Sequence, residues 1–301
     1  MSRLHPVSAG TQHALAAAGL PLEPVADLVA RALEEDLAGG EDVTSVATVP
    51  AEQRAALDFV ARQSGVIAGV APALAVFDTV GGEALSVSVL AHDGSRVVPG
   101  DVVLRAEGPT RLLLTAERTA LNLLCHLSGV ATQTSRWVEQ LRGTGAQVRD
   151  TRKTTPGLRE VEKYAVRCGG GTNHRMSLSD AALVKDNHVL AAGGVSAAFD
   201  AVRRRYPGLS VEVEVDSLDQ LGEVLAAGAD LVLLDNFTTD QMRDAVRINA
   251  GRARLEASGG LTLPDAAAVG ATGVDYIAVG ALTHSAPALD IGADLRPAGQ
   301  E

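Results

Sequence analysis

From Gln147 onward, short apolar runs alternate with stretches of helical spacing. The runs 147–150, 182–185, 211–215, 231–234, 254–257 and 276–279 read as buried strands. Each is separated from the next by room for a helix, which predicts repeated strand–helix units around a parallel sheet or barrel. Ser217-Leu218-Asp219-Gln220 reads as a capping box ahead of the apolar stripe Leu221, Val224 and Leu225, with Gly228 as the stop. Thr238 and Gln241 repeat the pattern. Six strands fall short of the eight in a complete (β/α) barrel, so either the barrel is incomplete or one or two strands escape the pattern.

The chain before this region is patterned differently. A helix is expected near Val25 to Leu37, strands at 56–61, 65–70, 85–91 and 102–106, and a long helix from about Thr115, with Gly-Asp and Pro-Gly turns between. This predicts an α+β domain joined to the barrel through the helices of residues 115–141. The segment Ser95 to Val103 resembles a lipoyl or biotinyl carrier sheet, but no lysine precedes Lys153, which excludes a carrier role.

Polar residues stand where each strand run ends: Arg152-Lys153, Lys185-Asp186-Asn187-His188, Glu214, Asp235-Asn236, Ser258-Gly259-Gly260 and Gly280. The C-terminal ends of parallel strands converge on one mouth, so these distant residues become neighbours. In Val211-Glu212-Val213-Glu214-Val215 the period of two sends the valines to one face and both carboxylates to the other. Carboxylates facing a barrel interior require cations or a metal. For Glu212, pairing with a neighbouring Arg is favoured over a direct catalytic part.

Composition narrows the guest. The 301 residues are 46% hydrophobic and 21% charged, as in a globular protein of one or two domains, and carry a net charge of -11. Against that field, the window Arg149 to Arg175 holds seven Arg or Lys and three acids. A focused positive site inside a repelling surface selects a small, multiply charged anion and opposes nucleic acid. Lysine occurs only at 153, 163 and 185. Two cysteines, Cys125 and Cys168, make neither a disulfide framework nor a Cys-rich zinc site, and Cys168 reads as packing. The Ala-rich stretch from Ala14 to Leu22 is interrupted by Pro21, Glu23, Pro24 and Asp27, so neither a secretory core nor a membrane span is expected, and the protein reads as cytoplasmic.

Four ordered motifs carry a family resemblance: Thr151-Arg152-Lys153-Thr154-Thr155-Pro156-Gly157, Gly169-Gly170-Gly171-Thr172-Asn173-His174-Arg175, Lys185-Asp186-Asn187-His188 and Glu212-Val213-Glu214-Val215. With Glu35-Asp36, Asp42-Val43-Thr44 and Glu117 to Asn122, the sequence resembles quinolinate phosphoribosyltransferase over nearly its whole length. The resemblance implies an α/β protein with an N-terminal α/β sandwich packed on an incomplete, seven-stranded α/β barrel. It implies an extension over 1–24, the sandwich over 25–130, the barrel over 131–285 and a C-terminal segment over 286–301. It also implies the reaction of quinolinate with phosphoribosyl pyrophosphate to give nicotinate mononucleotide, pyrophosphate and CO2, with Mg2+, in NAD biosynthesis.

By the same resemblance Arg118, Arg152, His174 and Arg175 bind quinolinate, with Arg118 reaching in from the partner of a homodimer, or of a hexamer of such dimers. Lys153 and Lys185 sit between dicarboxylate and pyrophosphate. Glu214 and Asp235 lie near the ribose hydroxyls and Mg2+, and Ser258, Gly259, Gly260, Gly280 and His284 hold the 5-phosphate. A related phosphoribosyltransferase is disfavoured, because a monocarboxylate needs fewer cations than this set. A non-catalytic phosphometabolite-binding protein is disfavoured by retention of both the lysines and the acids.

Overall fold

The computed structural model describes residues 4–297 and divides the chain into two compact units. Among the described residues, one comprises 4–133, 155–170 and 285–297; the other comprises 134–154 and 171–284.

The first unit begins with α1 (Ala9–Ala17), α2 (Leu22–Leu37) and α3 (Val43–Thr48). These are followed by β1 (Arg54–Ala61), β2 (Gly65–Val66), α4 (Val70–Gly81), β3 (Ser86–Val89), β4 (Arg96–Val97), β5 (Val102–Pro109) and α5 (Thr110–Gln140), whose residues from 134 on belong to the second unit. Two later segments, α6 (Arg159–Cys168) and β12 (Ile291–Pro297), also belong here. The sheet order is β12-β1-β5-β3, and all its pairs are antiparallel. Its register sets Asp58 opposite Arg105 on β5 and brings Arg296 of β12 to the same carboxylate, at 2.6 and 3.0 Å. Beneath the sheet, Phe59 and Phe77 meet edge to face at 5.7 Å.

Two expectations are corrected here, and one strand is added. The run 65–70 is a strand only at Gly65–Val66, and Val70 opens helix α4. Residues 71–81 carry no expectation, because nearly every residue of α4 is buried and no amphipathic period marks the helix. Gly69 turns the chain at φ +98°, and the Val70 N–H donates to Asp93, which starts the helix. The long helix starts at Thr110, earlier than about Thr115. The sheet also includes β12, drawn from the extreme C-terminal part of the chain, which the apolar pattern does not mark as a strand.

The second unit contains β6 (Gln147–Arg149), β7 (Ala182–Val184), α7 (Asp186–Ala192), α8 (Val195–Arg205), β8 (Val211–Val215) and α9 (Leu218–Ala226). It continues with β9 (Leu231–Asp235), α10 (Thr239–Asn249), β10 (Arg254–Ser258), α11 (Ala266–Gly270), β11 (Tyr276–Ala278) and α12 (Ala281–His284). All six expected strands are present with ends within one residue of expectation, in the all-parallel order β6-β11-β10-β9-β8-β7. Thr172 adds a one-residue parallel bridge to Arg149 beside β6, so among the described residues six strands and one isolated bridge stand where the resemblance implies seven strands. Thr238 and Gln241 form the full capping box. At α9 the Ser217 hydroxyl accepts the Gln220 N–H, but the Gln220 side chain accepts from Asp216 rather than from the cap residue, one position off the expected pattern. Among the described residues no helix is long and apolar enough to cross a membrane.

Candidate active site

All six strands of the second unit deliver the expected polar groups to one end of the sheet. Lys153 follows β6, where the Thr151 hydroxyl accepts its N–H at 2.9 Å and its carbonyl accepts the Thr283 hydroxyl of α12 at 2.9 Å. Gly280 lies against this loop. A Cβ built there would stand 2.9 Å from Lys153 Cδ and 3.3 Å from His284 Nε2, so the glycine makes room for both side chains. Lys185 follows β7 with extended backbone, and its N–H donates to His188 Nδ1 at 3.0 Å.

Glu214 on β8 and Asp235 at the end of β9 are half-buried. Burial, then the charge of Asp235, raises the Glu214 carboxyl above its ordinary range, and Lys185 opposes this. Asp235 is raised by burial and restrained by an Asn236 hydrogen bond at 2.7 Å and by Lys153 and Lys185. Two lysines and two acids therefore share one electrostatic neighbourhood.

Beside them, Gly259 and Gly260 follow Ser258 with φ of +101° and +60°. A Cβ at Gly259 would fall 2.2 Å from Asn236 Oδ1, so only glycine fits. Asn236, itself left-handed at φ 57°, donates its N–H to the Ser258 carbonyl. Glycine-rich turns of this kind leave backbone N–H groups accessible to an anion.

Behind the mouth lies a buried charge cluster. Glu212 and Glu256, from β8 and β10, point inward as the period of two requires. Glu212 meets His174 Nε2 at 2.6 Å, so its partner is a histidine rather than the expected arginine. The arginine goes to Glu256: Arg149 lies 2.5 Å from Glu256 Oε2 and stacks on the Tyr276 ring. Burial, followed by the charge of Glu212, pushes the Glu256 carboxyl up to about 7 against the pull of Arg149 and His174. Asp150 is also fully buried and accepts from the Asn173 side chain at 2.5 Å and the His174 N–H at 2.9 Å. The Arg175 guanidinium donates to the Ala181 carbonyl, and burial together with nearby Arg152 lowers its proton affinity.

The structure therefore gathers Lys153, Gly280 and His284; Lys185, Glu214 and Asp235; and Arg152, His174 and Arg175. It disperses part of the basic window. Arg159, Lys163 and Arg167 lie on α6 of the first unit, where Lys163 is fully buried. Arg149 is drawn against Glu256. Arg118 also lies in the first unit, on an exposed part of α5 beside Glu117. The sequence pattern gives no part to Asp150, Glu256 or Thr283, and places Asn236 at the mouth without showing that it seats Gly259 and holds Asp235. For Glu256 the signal was present: a carboxylate in the middle of an apolar strand, as at Glu212.

Comparison with known proteins identifies the family of the chain. Residues 42–128 match the family profile described as quinolinate phosphoribosyl transferase, N-terminal domain, and residues 130–294 match the C-terminal domain of the same family. A relative from Mycobacterium leprae, named nicotinate-nucleotide pyrophosphorylase (carboxylating), is 54% identical over 273 residues, covering 89% of this chain and 96% of that protein. A Bacillus subtilis relative, named as a probable enzyme of the same kind, is 40% identical over 262 residues, covering 87% and 90%. The solved nicotinate-nucleotide pyrophosphorylase of Francisella tularensis superposes with a TM-score of 0.87 at 36% identity, over 92% of this chain and 98% of that one.

Proposed function

The chain belongs to the quinolinate phosphoribosyltransferase family and has its carboxylating nicotinate-nucleotide pyrophosphorylase activity, a step of NAD biosynthesis, and from this we propose how its residues divide the work. The observation that carries the reading is the convergence of Lys153, Lys185, Glu214 and Asp235 at the strand ends, with Arg152 and Arg175 in the same unit. Planar guanidinium forks suit the two carboxylates of quinolinate, and compact ammonium groups suit phosphate oxygens. Arg152 and Arg175 take the dicarboxylate, joined by Arg118 from the partner of a homodimer. Lys153 and Lys185 stand between dicarboxylate and pyrophosphate. Ser258, Gly259, Gly260, Gly280 and His284 receive the 5-phosphate through backbone N–H groups and the imidazole.

Glu214 and Asp235 form a donor set that fits Mg2+. Both are hard carboxylates whose proton affinity is raised by burial, and for Glu214 also by the charge of Asp235, a strain that a divalent cation relieves. Held by these carboxylates with the pyrophosphate, Mg2+ would supply neutralisation of charge on the leaving group. The protein's own residues position the reactants. The pyridine nitrogen forms its bond to the anomeric carbon of ribose as the bond from that carbon to pyrophosphate breaks. Glu214 and Asp235 favour the positive charge that develops on the sugar. The cationic ring nitrogen then draws in the electron pair of the adjacent C–C bond as CO2 departs, and the ring carbon takes a proton. No protein nucleophile is required. The unpaired thiols of Cys125 and Cys168 favour a reducing, cytoplasmic setting.

The test is formation of nicotinate mononucleotide and CO2 from quinolinate, phosphoribosyl pyrophosphate and Mg2+, with nicotinate replacing quinolinate in parallel. Product from quinolinate alone is expected. Product from nicotinate alone, or from neither, overturns the reading.

A further inference from the structure

Both ring nitrogens of His174 are engaged within the protein. Nδ1 lies 2.7 Å from the Arg175 backbone nitrogen and accepts its N–H, so Nδ1 must offer a lone pair and the ring proton belongs on Nε2. Nε2 lies 2.6 Å from Glu212 Oε2, a charge-assisted contact in a buried setting. The His174 N–H is fixed in turn by Asp150 at 2.9 Å. The Glu212–His174–Arg175 series thus runs from the barrel interior to the main chain of an arginine placed on the dicarboxylate.

We propose that Glu212 is a positioning residue for dicarboxylate recognition: it fixes His174 in the Nε2–H tautomer, and the ring then holds the Arg175 main chain in place. The inference rests on the reading of Arg175 as a quinolinate ligand. It accounts for a carboxylate kept in the barrel interior, where an apolar residue of similar size would cost less. It also separates two uses of the cluster. Ligand atoms of His174, Glu212 and Glu256 lie within 4.8 Å of one another, close enough for a metal ion. A metal, however, needs the Nε2 lone pair, which this tautomer lacks, and Arg149 already occupies one Glu256 oxygen. The cluster works as a hydrogen-bond series rather than a cation site.

Two measurements test this. In 15N-labelled wild-type enzyme near neutral pH, long-range proton–nitrogen correlations of the His174 ring, assigned through bonds to its own amide, are expected to show the proton on Nε2. A proton on Nδ1, or on both nitrogens, overturns the proposal. In steady-state assays, Glu212→Ala is expected to raise KM for quinolinate about tenfold or more while leaving KM for phosphoribosyl pyrophosphate within about twofold. Glu212→Gln, whose carboxamide oxygen still accepts from Nε2, is expected to restore KM for quinolinate to within about threefold of wild type. Equal losses in both variants, or parallel rises in both KM values, overturn it. Absence of quinolinate turnover in the wild type would instead overturn the reading of the site, while the ring correlations would still decide the tautomer.

Discussion

Glu256→Gln probes the energetics of the buried cluster directly. Glu256 is fully buried on β10, against Arg149 and beside Glu212, and its carboxyl is pushed up to about 7 from an ordinary 4.5, by burial first and by the Glu212 charge second. The folded chain therefore holds this proton more tightly than the unfolded chain does. The resulting stabilisation is fully present below about pH 4.5 and is lost as pH rises through about 7. At about 1.4 kcal/mol per pH unit, the whole window is worth roughly 3 kcal/mol. Glutamine cannot ionise, so the variant lacks this dependence, whatever constant offset follows from its weaker hydrogen bond to Arg149. Urea unfolding of both proteins at one protein concentration, from about pH 5 to about pH 8, isolates the effect, because titrations common to both cancel in the difference. The variant should gain on wild type by roughly 2 to 3 kcal/mol across that range. A difference that is flat with pH, or that moves toward wild type as pH rises, refutes the reasoning.

Lys153→Ala should lower kcat/KM by about 100-fold, as removal of one charge-assisted contact to bound phosphate or carboxylate would; turnover within a few-fold of wild type would remove Lys153 from the site. Gly280→Ala places a methyl 2.9 Å from Lys153 Cδ, so turnover should drop about tenfold in a protein that melts within about 3 °C of wild type. Gly259→Ala combines φ +101° with a 2.2 Å approach to Asn236 and should cost about 2 to 4 kcal/mol in urea unfolding. Inactive Arg118→Ala and Lys153→Ala proteins, mixed and allowed to exchange subunits, should regain up to about a quarter of wild-type activity; no recovery despite proven exchange would contradict an Arg118 acting in the partner's site.

The barrel half of the protein was more legible than the sandwich half, for a physical reason. Strands covered by helices are short apolar runs bounded by turn residues, and β8 read correctly to the residue because its period of two is strict. Helix α4 drew no expectation beyond its first residue, Val70, because burial on all sides erases the amphipathic period. Strand β12 was missed because its residues alternate poorly and its partner β1 lies more than two hundred residues earlier in the chain. Within the site, the groups at strand ends were found by topology. The basic window overstated the local charge, since sequence proximity does not show that α6 carries three of its cations into another unit. The identity of Glu212's partner was not readable either, because His174 reaches it from a loop rather than from a neighbouring strand.

Asp150 joins residues on either side of an excursion. The chain leaves the second unit after Thr154, supplies residues 155–170 to the first, and returns at Gly171. Asp150, before the departure, holds Asn173 and His174, after the return. Ribosomal synthesis therefore delivers Arg152 and Lys153 well ahead of the hydrogen bonds that seat His174. An insertion or deletion within 155–170 would change the length of chain between these two anchors, so drift in the length of α6 would be constrained by catalysis as well as by packing.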